Sequence, residues 1–171
     1  NEGGSIAFDE QGSLFVSGRF CGAPTAGAAI YGVARLNGDG TLTLVAGAAA
    51  GAVVNGVPAT SVDLNDGVSL AFDFASSGGT RRSNLYVAAP GGNWVGRIDG
   101  GSGRFDLVLG TGAGTAGSTG DFGPATAALR AAPHGLGVRP GTGEVYVASV
   151  SSYDVSMIAG AAPAAATTPS L

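Results

Sequence analysis

Apolar residues along the chain fall into short runs parted by polar, glycine-bearing turns, and one order of runs returns three times. "SIAFDEQGSLFVSG" spans Ser5 to Gly18, "SLAFDFASSGGTRRSNLYVAA" Ser69 to Ala89, and "GLGVRPGTGEVYVAS" Gly135 to Ser149. Each predicts a short apolar strand, a turn, and a second strand with an aromatic near its start. Phe15, Tyr86 and Tyr146 hold that aromatic place. Ile6, Leu70 and Leu136 mark equivalent points of the first strands, and Ala7, Ala71 and Gly137 repeat a slot for a small residue.

The segment after each copy repeats as well. "IYGVARLNGDGTLTLVAG" (Ile30 to Gly47) and "NWVGRIDGGSGRFDLVLG" (Asn93 to Gly110) both predict strand, tight turn, strand. Leu42 and Leu44 alternate with threonines, and Phe105, Leu107 and Leu109 alternate with Arg104, Asp106 and Val108. That period of two suits strands with one buried face. The third copy supplies only "YDVSMI", Tyr153 to Ile158. The expectation is an all-β chain of four, four and three antiparallel strands. "FASSGGTRR" (Phe74 to Arg82) and "RFCGAPTAGAA" (Arg19 to Ala29) are expected as loop inserts, and "NGDG" (Asn37 to Gly40) as a hairpin turn.

A glycine-rich stretch, "GAGTAG" at Gly112 to Gly117, fits the spacing of a phosphate-cradling loop. Such a loop must open a real helix whose amides meet the phosphate. Here the glycines run into Asp121 and Pro124, and "PATAALRAA" leaves room for about two helical turns at most. A counterpart lies at Gly47 to Leu64, where Pro58-Ala59-Thr60 answers Pro124-Ala125-Thr126. A connector recurs between repeats, whereas a nucleotide cradle is needed once. The glycines are therefore expected to be connectors, with no cofactor.

Composition narrows the classes further. The 171 residues suffice for one domain with a core, and 44% are hydrophobic. Only 12% are charged, the net charge is −4, and the one basic doublet is Arg81-Arg82. Nucleic acid is not an expected partner. No apolar run approaches the ~18 residues of a membrane helix. Cys21 stands alone, so it can form neither an internal disulfide nor a multi-cysteine metal site. A first residue Asn1, rather than Met, is read as a processed or excised piece of something longer.

"GDFGPATAALRAAPHGLGVRPGTGEVYVAS" resembles the NHL repeat of β-propellers, above all the kind whose blades are joined by a G-D-G-G-P-A-T loop. Gly120 to Thr126 matches that loop with one substitution, and Asn55 to Thr60 is a weaker copy. The family's Asp after the aromatic strand is replaced here by Gly18, Ala89 and Ser149. The resemblance implies blades at about residues 3–47, 67–110 and 133–158, within a propeller region 1–158, followed by an Ala/Pro/Thr-rich linker or tail at 159–171. Propellers close with roughly four to eight blades, so about three would leave an incomplete ring. Further blades of the same polypeptide, or a protein partner, are expected to complete it.

Candidate chemistry is sparse. His134, the sole histidine, precedes the third copy and is expected as a partly buried loop residue; enzymes on related propellers hold metal ions in the central channel. Asp9 and Asp73 occupy equivalent positions and are expected to accept turn hydrogen bonds rather than to act as paired carboxylates. Tyr31, Trp94 and Tyr153 begin third strands and, with His134, are the possible rim or partner contacts. The leading expectation is a non-catalytic, NHL-like propeller segment, a scaffold or protein-interaction module of a larger secreted, surface or assembly protein, with an extracellular or cell-surface place favoured. The alternatives are part of a metal-dependent enzyme of the amidating-lyase or lactonase type, and a glycan-binding propeller.

Overall fold

A computed structural model describes residues 4–21, 29–65, 69–77, 80–139 and 142–159. It is all-β, with three antiparallel sheets in chain order. Sheet 1 holds β1 (Ile6–Phe8), β2 (Leu14–Phe20), β3 (Ile30–Leu36) and β4 (Leu42–Ala46). Sheet 2 begins with a two-residue strand, β5 (Val57–Pro58), and continues with β6 (Ser69–Ser77), β7 (Thr80–Ala89), β8 (Trp94–Ile98) and β9 (Arg104–Leu109). Sheet 3 has β10 (Pro133–Arg139), β11 (Glu144–Ser149) and β12 (Asp154–Ile158). Most of the tail expected at 159–171 and of the insert at 19–29 lies outside the described residues.

The ladders explain the repeat residue by residue. Ile6 pairs with Val16 and Phe8 with Leu14; Leu70 pairs with Val87 and Phe72 with Leu85; Leu136 pairs with Val147 and Val138 with Val145. Each first strand thus builds one apolar quartet with the second, on one face of its sheet. The opposite face carries Ala7 across from Phe15, Ala71 across from Tyr86, and Gly137 across from Tyr146. A small residue facing an aromatic leaves room for the ring to lie over the neighbouring strand. We call these the quartet face and the aromatic face.

The sheets pack in series, with sheet 2 in the middle and its first long strand, β6, lying against both β1 and β10. One core joins Phe15 and Val33 of sheet 1 to Leu70, Phe72, Leu85 and Val87 of sheet 2. The rings of Phe15 and Phe72 meet edge to face, 4.9 Å apart. A second core joins Tyr86, Ala88 and Val95 of sheet 2 to Val145, Val147 and Ile158 of sheet 3, with Leu136 and Val138 packed on it. In both, the aromatic face of one sheet buries the quartet face of the next. Each large apolar side chain so buried stabilises by about 1.5–3 kcal/mol.

The connectors also repeat. Gly47 donates to the carbonyl of Ala59, and Gly110 to that of Ala125, each at 3.1 Å. Both glycines take positive φ, 115° and 88°, and a Cβ at either would strike the backbone of Tyr31 or Asn93. A single 3₁₀ turn follows each Pro, at Ala59–Ser61 and Ala125–Ala127. The loop containing Gly112 to Gly117 thus leads to three helical residues, too few for the N-terminal amide array of a phosphate site.

Three expectations need correction. The first connector is more than a loop: Val57 and Pro58 pair with Phe105 and Arg104, giving sheet 2 a fifth strand where four were expected. An outer strand offers unpaired backbone groups to any chain running past, and Pro is tolerated at such an edge. The stretch expected as an insert after Phe74 continues the β6–β7 ladder as far as Ser77 paired with Thr80, because nothing between Phe74 and Ser77 stops backbone pairing. Asp73 consequently sits inside that ladder, fully buried, and not in a turn.

Candidate interaction surfaces

Among the described residues, neither end of the series is covered. On the quartet face of sheet 1, Phe8 is 56% exposed, whereas its counterpart Phe72 in sheet 2 is 8% exposed. Ile6 is likewise exposed where Leu70 is buried. On the aromatic face of sheet 3, Tyr146 is 38% and Val155 72% exposed, with Met157 exposed beside them. Their counterparts Tyr86 and Val95 are sealed, both at 0%. The order Tyr86, Ala88, Val95 in sheet 2 returns as Tyr146, Ala148, Val155 in sheet 3. The two outer faces are therefore copies of faces that the chain buries against itself.

Among the described residues, sheet 3 also has one strand fewer than sheet 1. In sheet 2, β9 fills the space between β8 and Val57–Pro58. The matching space in sheet 3 is a groove of about 730 Å³ between β12 and Gly120 to Ala125. Phe122, at the crest of that connector, takes φ 64° and is fully exposed; Gly56 holds the same turn position in the first connector, with φ 76°. Arg130 fastens the connector to β12. Its Nε donates to Ser156 Oγ at 2.6 Å, its Nη1 to the carbonyls of Thr119 and Leu129, and its Nη2 to Asp121. The first connector has buried Leu64 at this place, so Arg130 carried no signal as a repeat position.

The residues singled out from sequence differ in burial. Trp94 is 1% exposed, its ring edge-on to Phe105 at 5.4 Å, so it is a core residue and not a rim contact. Tyr31 is half-buried and packs against the same core. Tyr153 is exposed, with φ 56°, on the turn before β12. His134 lies in strand β10 at a register shift and is exposed, where a partly buried loop residue was expected.

The carboxylates are mostly engaged in turns. Asp9 Oδ1 accepts from the amides of Gln11 and Ser13, as expected. In the β8–β9 turn, Asp99 accepts from Gly101 and from the amide and hydroxyl of Ser102; these bonds, the hydroxyl first, hold its carboxyl below the usual range. Asp39 in "NGDG" accepts from Thr41 within the β3–β4 hairpin, which lowers it in the same way. Both Asp9 and Asp99 line a groove of about 460 Å³ between sheets 1 and 2. Among the described residues no three His, Cys, Asp or Glu side chains are grouped to hold a metal ion, and no helix is long and apolar enough to cross a membrane. Cys21 is a free, exposed thiol.

Compared with known families and with curated proteins, the chain matches no family model and no curated sequence.

Proposed function

We propose that the chain is a segment of an NHL-like β-propeller that acts as a non-catalytic structural scaffold or protein-interaction module, within a larger secreted, surface or assembly protein. The reading is carried by one observation: both ends of the series expose copies of faces that are buried between its sheets. Contiguous apolar faces left bare on a soluble chain mark sites of association. They favour covering by further sheets of the same make, as blades cover one another in a ring. The resemblance of Gly120 to Thr126 to the joining loop of that family supports the same reading, as does the groove beside β12.

The test is to append a second copy of residues 47–110 after Ile158, at a dilution that keeps the parent chain single. The added sheet is expected to raise the melting temperature by several degrees and to reduce binding of an apolar dye. An unrelated domain at the same point is expected to do neither. An extension that leaves both readouts unchanged would count against the scaffold reading.

A further inference from the structure

We propose that the aromatic face of sheet 3 docks on the quartet face of sheet 1 of a second copy of this chain, head to tail. The proposal rests on the propeller reading above and names the partner that reading leaves open.

The complementarity is visible within one chain. Tyr146 in sheet 3 occupies the position of Phe15 in sheet 1, each directly across from a small residue of the first strand. Phe8 occupies the position of Phe72, each paired with a leucine of the second strand. Phe15 and Phe72 already meet edge to face at 4.9 Å and an interplanar angle of 70°. Docking sheet 3 onto sheet 1 of a second copy sets Tyr146 against Phe8 in the same relationship. Val155 then covers the inner strands as Val95 does inside the chain, where it is part of the second core.

The aromatic face of sheet 3 carries the ion pair of Arg139 with Glu144, 3.0 Å apart, and the Tyr146 hydroxyl donates to the same carboxylate, so these charges enter the contact already matched. Where the aromatic face of sheet 2 has Arg97, sheet 3 has Met157, so docking desolvates no charge at that point, and a buried unpaired charge is the usual penalty against such a contact. The contact is heterologous, because the two surfaces differ, and a heterologous contact yields either a closed ring or an open fibre. Two copies bring together six sheets, inside the range of four to eight in which propellers close. The closed pair leaves neither outer face bare.

Light scattering coupled to size exclusion tests this on the full 171-residue chain. The expected mass is twice that of one chain at tens of micromolar. Phe8→Asp and Val155→Asp alter side chains that are more than half exposed, so both variants keep the strand signature by circular dichroism. Each alone is expected to run as a single chain, since each carries one damaged face and a closed pair uses both. Mixed in equal amounts, they are expected to regain a two-chain species through the one intact contact.

A second measurement does not depend on those variants. In a Cys21→Ser background, Phe8→Cys and Tyr146→Cys chains are expected to be joined by a short bis-maleimide only when the two are mixed. A wild-type chain that stays single at these concentrations overturns the proposal. So does loss of association from Val155→Asp but not from Phe8→Asp, which would mean sheet 3 pairing with itself. A single chain that is nonetheless stabilised by the appended 47–110 copy would sink only the second-copy partner. Failure of both experiments would sink the propeller reading as well.

Discussion

Tyr86 and Tyr146 hold the same place in adjacent sheets, each directly opposite a small residue of the first strand, Ala71 and Gly137. Sheet 3 seals the first; the second has no neighbouring sheet among the described residues. The pair therefore separates what burial contributes from what the residue type contributes. In the single chain, Tyr86→Ala is expected to cost about 3–5 kcal/mol as a large-to-small core change. Tyr146→Ala is expected to cost about 1 kcal/mol or less. Urea unfolding of the two variants measures the difference, and equal losses would mean that Tyr146 is covered.

Much of the fold was legible because strand ladders translate directly into sequence. A period of two, set against equivalent anchors at Ile6, Leu70 and Leu136, identifies the face each residue serves before any coordinate is known. The pairing of a small residue with an aromatic was legible for the same reason. Less could be read where the decisive interaction is not local. Val57 and Pro58 become a strand only because β9 offers them an edge. By register Trp94 matches Gly32 and Asp154, so the repeat offers no aromatic to compare with it, and only packing against Phe105 decides that it is buried. Arg130 replaces a buried leucine and bonds to Ser156, far along the chain, which no spacing rule reveals.

Glycines in two different strands separate space from habit. A Cβ built at Gly96 in β8 would fall on the Phe105 ring, whereas one at Gly137 in β10 meets nothing within 4 Å. Gly96→Ala is expected to destabilise by about 1–3 kcal/mol through overpacking. Gly137→Ala is expected to be neutral or to stabilise by about 0.5–1 kcal/mol, since an unstrained strand glycine mainly loses chain entropy on folding. Thermal melts of the two variants should move in opposite directions or, at the least, by clearly different amounts.

Alkaline pH reads the burial of Tyr86. Its phenol is pushed up to about 12, first by burial and then by the charge of Asp73, against a lowering by Arg97. An unfolded tyrosine titrates near about 10, so the folded state holds this proton more tightly. The contribution is whole below about pH 10 and is lost as pH rises through about 12. It amounts to about 2–3 kcal/mol. The chain has no lysine, which leaves few other groups titrating in that window. Denaturant midpoints between about pH 9 and 12 are expected to fall for the wild type and to fall less for Tyr86→Phe.

Arg130 ties the second connector to the last strand. Its side chain is almost wholly buried and makes bonds to Ser156, Asp121 and two backbone carbonyls. Arg130→Ala leaves those acceptors without their donor, at a cost of about 2–4 kcal/mol. Hydrogen exchange is expected to quicken at Thr119, Leu129 and Ser156 while β6 and β7 stay protected. Uniform quickening across all three sheets would mean that the connector is not a separate unit.

The serial order of the sheets is tested most directly by proton–proton contacts in a nuclear Overhauser spectrum of the folded chain. The arrangement predicts ring-to-ring cross-peaks between Phe15 and Phe72, and Hα or amide ladder peaks that join Leu70 to Val87 and Leu136 to Val147. Ladder peaks joining Leu70 to Leu136 would place both in one sheet and contradict the stacked order.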